Sequence, residues 1–176
     1  MRRVIVDTDT AGDDTQALAL AVLTERLSVE AVTVVAGNAP FDRQVENAKY
    51  TLSLVDTEDT PVYEGARTPL LKSHEHATEI HGEGGLGGDL FPETGIDSAD
   101  GFGPDEVVRR CRESPGEVTL LCIGPLTNLA LAHAREPDRA AHHPDFVDEV
   151  GEVRFASVGE REVREGADTE ERDLTG

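Results

Sequence analysis

The sequence predicts an α/β fold, an open and mostly parallel sheet with helices on its flanks. Three observations carry this. Short apolar runs rich in β-branched residues, Val4-Ile5-Val6, Glu30 to Ala36 and Val118 to Ile123, read as buried strands. Between them lie segments whose apolar residues recur at helical spacing. Each run ends in residues that turn the chain, Asp7, Gly37-Asn38 or Gly124-Pro125. Strand and helix in alternation are accommodated by parallel strands joined through right-handed crossovers.

The first strand, Val4 to Val6, leads into Asp7, Asp9, Asp13 and Asp14, four aspartates within eight residues around Gly12. A helix follows, with Ala17, Leu18, Ala21 and Val22 on one face. Ligands of open α/β sheets bind outside the carboxyl ends of the strands. That places Asp9 in the crevice. Asp13 and Asp14 fall at the start of the helix, where the helix dipole tolerates negative charge. One such Asp would read as a cap or a turn residue. Four crowded carboxylates repel one another, and a hard divalent cation relieves the repulsion. A donor set made only of oxygen favours Ca²⁺ or Mg²⁺ over zinc.

Glu30 to Ala36 forms the second strand. The helix after it, from about Asp42 to Val55, turns Val45, Ala48, Leu52 and Val55 inward. Asn38 therefore lies on the same rim as Asp9, where its amide could meet a sugar hydroxyl, steady a carboxylate, or simply serve the turn. Pro61 to Ala66 reads as a short strand and its exit loop. A long polar stretch begins near Lys72 and contains His74, His76, His81 and the glycines Gly82, Gly84, Gly85, Gly87 and Gly88. His74-Glu75-His76 has a zinc-like spacing, but the sequence offers no second cluster to complete a site. The glycines lack the Gly-Lys-Ser/Thr and the directly following helix of a phosphate loop. Gly103 to Arg112 reads as a helix with Val107, Val108 and Cys111 inward. The strand Val118 to Ile123 turns through Gly124 to Asn128 into a helix, Leu129 to Ala134, and Pro125 suits a first helical turn. The carbonyl of Ile123 then points from another strand end towards the crevice.

Asp7-Thr8-Asp9-Thr10-Ala11-Gly12-Asp13-Asp14 followed by Ala17-Leu18 resembles the opening signature of the inosine-uridine-preferring nucleoside hydrolases. The aspartate spacing is that of the family, while the glycine is displaced by one. Val35-Ala36-Gly37-Asn38 with Asn47-Ala48, Pro61 to Leu70, His81 to Gly87 and Leu121 to Ala130 resemble the same family in the same order, over about residues 3 to 137. The resemblance implies a Rossmann-like core and hydrolysis of the N-glycosidic bond of a ribonucleoside to ribose and free base. It implies that Asp9 is metal ligand and catalytic base and that Asp14 is a metal ligand. Asp13 would bind a ribose hydroxyl, and Asn38 would orient sugar and carboxylate. The loop at His81 would border the nucleobase, and the Ile123 carbonyl would complete part of a Ca²⁺ site. The family's ribonucleoside substrate is the implied partner, with a homo-oligomer possible.

A rival from another class is a haloacid dehalogenase-type phosphatase. Val4 to Asp9 mimics its opening, with Asp7 as nucleophile, but Lys49 and Lys72 are poorly placed for its lysine. A second alternative is an inactive remnant or an interaction partner. After Asp148 the family pattern fails and Gly159 to Gly176 is almost wholly polar. The expectation is a nucleoside hydrolase-like domain over residues 1–150, truncated or frameshifted, with impaired activity, and a poorly ordered tail over 151–176.

Composition narrows the setting. Sixteen Lys and Arg face 36 Asp and Glu, a net charge of −20. Such a surface argues against nucleic-acid and anionic-membrane partners. Few large apolar residues with high charge can signal disorder. The regular apolar periodicity up to about Ala134 favours instead a folded protein suited to a salty cytoplasm. Cys111 and Cys122 match no zinc or redox spacing and read as buried thiols. No signal peptide and no apolar run near ~18 residues is read, and the expected location is cytoplasmic. Folding should strengthen as KCl rises into the molar range, well past the ~0.15 M at which ordinary screening is effective. Thermal melting across a KCl series checks this, and a melting temperature indifferent to salt contradicts it.

Overall fold

The computed structural model describes residues 1–135. The expected tail over 151–176 and the end of the 1–150 domain lie outside the described residues. The chain runs β1 (Arg2–Thr8), α1 (Gly12–Leu23), β2 (Leu27–Val34), α2 (Phe41–Leu54), β3 (Val62–Glu64), α3 (Thr78–His81), β4 (Ala99–Phe102), α4 (Gly103–Glu113), β5 (Val118–Cys122) and α5 (Thr127–Ala134). The five strands form one sheet in the order β4-β3-β2-β1-β5, and every pairing is parallel. The expected open parallel sheet with flanking helices is what the chain builds.

Burial explains why the central strands read as near-continuous apolar runs. A parallel strand covered on both faces needs no polar alternation, and Val4 to Thr8 of β1 are all buried. Successive side chains still divide between two cores. Val6, Val32 and Val34 pack with Leu18 and Ala21 of α1 and with Phe41, Val45, Ala48 and Leu52 of α2. Ile5, Ala31, Leu120 and Cys122 pack on the other face with Val107 and Cys111 of α4 and Ala132 of α5. Both cysteines are buried free thiols, as expected, and burial pushes them up to about 11 and 12.

The helix α2 lies within a residue of its expected span, whereas β1 begins two residues and β2 three residues earlier than the apolar runs suggested. Two elements were not anticipated. β4, Ala-Asp-Gly-Phe, is an edge strand with half-buried ends and an exposed centre, so it has no apolar run to announce it. α3 is a single turn inside the polar, glycine-rich stretch.

The strand order fixes where a ligand can sit. From β1 the chain builds outward through β2, β3 and β4, then returns to add β5 on the other side of β1. The order reverses at β1, and a crevice opens there beyond the carboxyl ends of neighbouring strands. Thr8, Val34 and Cys122 end the three strands around it.

Candidate active site

The crevice stands on a buried polar knot. Asp7 is 2% exposed. The Thr33 hydroxyl donates to its Oδ2 at 2.5 Å and the Asn128 amide donates to the same oxygen at 2.7 Å. Asn128 Nδ2 also reaches the Val34 carbonyl at 3.2 Å, and its Oδ1 accepts from the Ala66 amide at 2.8 Å. One side chain at the start of α5 thus ties the carboxyl ends of β1 and β2 to the loop leaving β3. A Cβ on Gly65 would overlap the Asn128 amide group, so the loop passes here only as glycine. Burial pushes the Asp7 carboxyl up to about 7, the hydrogen bonds from Thr33 and Asn128 pull against it, and the Asp9 charge pushes with it. Its other oxygen, Oδ1, is buried with no hydrogen-bond partner among the described residues. Asp7 faces the interior and is committed to Thr33 and Asn128, which disfavours its use as an exposed phosphatase nucleophile.

Asp9 and Asp14 form the second pair. Asp9 is 3% exposed and Asp14 is 8% exposed. The Asn38 backbone amide donates to Asp9 Oδ2 at 2.8 Å, and the Gln44 side chain donates to the Asp9 carbonyl. Two glycines let backbone close around this carboxylate. A Cβ on Gly37 would overlap it, and one on Gly124 would stand 3.0 Å from its Oδ1 and 2.7 Å from the Asp9 nitrogen. Asp14, in the first turn of α1, accepts from the Thr8 hydroxyl at 2.9 Å. Burial pushes its carboxyl up to about 8, helped by a hydrogen bond with Asp9 and by the Asp9 charge, against the Thr8 hydroxyl. The two groups share a site that disfavours two negative charges.

The sequence-predicted residues are therefore brought together unevenly. Asp9 and Asp14 touch. Ile123 donates its amide to the Asp7 carbonyl at 2.8 Å, and Gly124 beside it lies against Asp9, so the Ile123–Gly124 peptide borders the pair. Asn38 reaches Asp9 through its backbone rather than through its side chain. Asp13 stands exposed at the start of α1. His81 ends α3 next to that start, its Nδ1 3.6 Å from where a Cβ on Gly12 would be. The loop after His81 docks through the Gly85 carbonyl, which accepts from Gly12 N at 2.9 Å, and the Gly84 carbonyl, which accepts from Asn47 Nδ2 at 2.8 Å. Among the described residues no three His, Cys, Asp or Glu side chains gather as a metal cluster. The carboxylates brought together at this crevice are Asp9 and Asp14.

Sequence reasoning gave no role to Asn128, Thr33, Gln44 or Asn47. Asn47 and Asn128 fell within the family-like stretches without a stated role, while Thr33 and Gln44 had only their position as polar residues beside apolar runs and turns.

Known proteins resemble this chain in sequence and in fold. Residues 4–153 match the model of a family described as inosine-uridine preferring nucleoside hydrolase. An uncharacterised Schizosaccharomyces pombe protein is 36% identical over 158 residues, covering 89% of this chain and 50% of that protein. The pyrimidine-specific ribonucleoside hydrolase RihA of Salmonella arizonae is 36% identical over 135 residues, covering 77% of this chain and 43% of the relative. Among solved structures, a plant nucleoside hydrolase, PpNRh1, superposes with a TM-score of 0.72 at 37% identity, covering 77% of this chain and 43% of that one. The chain spans about half the length of the curated relatives it matches.

Two predictions follow from the knot and the pair. Asn128→Ala strands the Asp7 carboxyl and the Ala66 amide inside the protein and should cost at least about 2 kcal/mol in chemical denaturation. A loss under ~0.5 kcal/mol, the range of ordinary surface changes, contradicts the role given to Asn128. Asp7 and Asp14 keep protons in the folded chain at pH values where the unfolded chain has released them. Their contribution to stability is thus complete below about pH 4 and lost as pH rises to about 8. In metal-free buffer the melting temperature should fall between about pH 5 and pH 8, and Asp14→Asn should flatten the fall. An unchanged slope in that variant contradicts the assignment.

Proposed function

The chain belongs to the inosine-uridine preferring nucleoside hydrolase family, and from that premise we propose that its crevice hydrolyses the N-glycosidic bond of a ribonucleoside, releasing ribose and free base. The observation that carries the reading is the Asp9 and Asp14 pair, buried and in contact at the point where strand order reverses. The names of related proteins span pyrimidine and inosine-guanosine nucleosides, so the proposal is confined to the ribose and the glycosidic bond.

The pair suits a divalent cation. Two carboxylates held against each other resist ionising together, and a cation removes that penalty. The donors are all oxygen: Asp9, Asp14 and the Ile123 carbonyl. That set favours Ca²⁺. A bound Ca²⁺ would supply a polarised water of lowered pKa.

The chain's own residues do the rest. Asp9 takes a proton from the attacking water as general base. Its Oδ2 is fixed by the Asn38 amide and its backbone by Gln44, so the carboxylate meets the water in one orientation. Asp13, exposed beside the pair, accepts from a ribose hydroxyl. Positive charge gathers on the ribose ring as the bond to the base breaks, and the carboxylates around the crevice favour it. His81 and the loop docked on Gly12 border the departing base. The acid-rich surface supports work at high salt, and the proposed setting is a salty cytoplasm.

The test combines calorimetric titration with Ca²⁺ and reducing-sugar release from inosine and uridine, both at high salt. The parent should bind one Ca²⁺. Asp9→Asn should abolish that binding and lower turnover by about 10²–10⁴-fold. Equal Ca²⁺ binding by parent and variant overturns the metal assignment. Absence of turnover in a parent that binds Ca²⁺ favours the alternative of an inactive remnant.

A further inference from the structure

Two histidines of the polar stretch, His74 and His76, converge on one carbonyl. His74 Nε2 lies 2.8 Å from the Gly37 oxygen and His76 Nδ1 lies 3.3 Å from the same atom. The two rings pack edge to face with centroids 4.4 Å apart. A carbonyl has two lone pairs and no proton, so both nitrogens must be donors. That fixes His74 with its proton on Nε2 and His76 with its proton on Nδ1. One residue further on, the Ala77 amide donates to the Asn38 carbonyl at 2.9 Å. The 74–77 segment thus grips two successive carbonyls at the end of β2.

The Gly37 carbonyl and the Asn38 N–H belong to the same peptide group. That N–H donates to Asp9 Oδ2 at 2.8 Å. A peptide that accepts at its oxygen becomes a stronger donor at its nitrogen, because the two bonds polarise one amide in the same sense. Asp9 is also packed so tightly on Gly37 that a side chain there would overlap it, so any tilt of this peptide moves the carboxylate.

We propose that His74 and His76 are positioning residues for Asp9, acting through the Gly37–Asn38 peptide. They strengthen the hydrogen bond that holds one Asp9 oxygen and prevent the peptide from tilting. The inference rests on the reading of Asp9 as the base, but the relay itself is a property of the fold and is measurable without turnover.

The experiment uses the full chain and reads the Asn38 amide by NMR alongside steady-state kinetics with inosine. His74→Phe with His76→Phe keeps two packed rings and removes both donors. The Asn38 proton should move upfield and exchange with solvent roughly fivefold faster. kcat should fall roughly tenfold with little change in KM, because the substrate contacts are untouched. His74→Gln with His76→Asn returns an amide donor near each lost ring nitrogen and should restore both readouts. It also keeps the test open if the Phe variant does not fold. An Asn38 signal unchanged in the Phe variant, or not restored in the Gln/Asn variant, overturns the relay. A relay seen by NMR in a chain with no turnover upholds this inference and counts against the proposed hydrolysis. Turnover without the relay does the reverse.

Discussion

The site depends on burying a carboxyl group at the centre of the sheet. Asp7 lies one residue before the end of β1, with its neighbours Val6 and Thr8 buried, and a group of this kind is tolerated only when its hydrogen bonds are provided. Thr33 and Asn128 provide them at Oδ2, while Oδ1 has no partner among the described residues. The price is geometric: Asn128 must approach β1, β2 and the loop after β3 together, which brings the start of α5 hard against the strand ends. Gly65 and Gly124 are the places where that closeness leaves no room for a side chain.

The four aspartates therefore do different things although they share one short stretch. Asp7 is spent on the knot. Asp9 is held from three sides by main chain at Asn38, Gly37 and Gly124. Asp14 leans on Thr8 and Asp9. Asp13 is left exposed. What separates the four is which neighbour satisfies each, and those neighbours come from β2, α2, β5 and α5, far apart in the chain.

That division explains how much was legible in the sequence. Buried parallel strands announce themselves through β-branched runs, so β1, β2 and β5 and their order of connection could be read, and with them the rim on which Asp9, Asn38 and Ile123 lie. β4 could not be read, since an exposed edge strand has no buried face to pattern its residues. Nor could the roles of Asn128 and Gln44, because a polar side chain that satisfies a distant backbone group leaves no local periodicity. His74 and His76 show the same limit from the other direction. Their zinc-like spacing had no second cluster to complete a site and pointed to no other role, while the fold sets both against a carbonyl.

The surface charge and the site charge act on different scales. A net charge of −20 draws cations towards the whole molecule, but at molar salt the screening length shrinks to about 3 Å. At that ionic strength the distant acids neither attract a cation to the crevice nor repel an anion from it. What remains is the contact set: two carboxylates within reach of each other. Burial and the neighbouring Asp9 charge raise the Asp14 pKa to about 8, so near neutrality a proton competes for its oxygens and occupancy by a cation is also a statement about pH. A protein with so much negative charge elsewhere thus brings together, at this crevice, two carboxylates that resist being charged at once. The cation proposed there would act first by making that pair of charges tolerable.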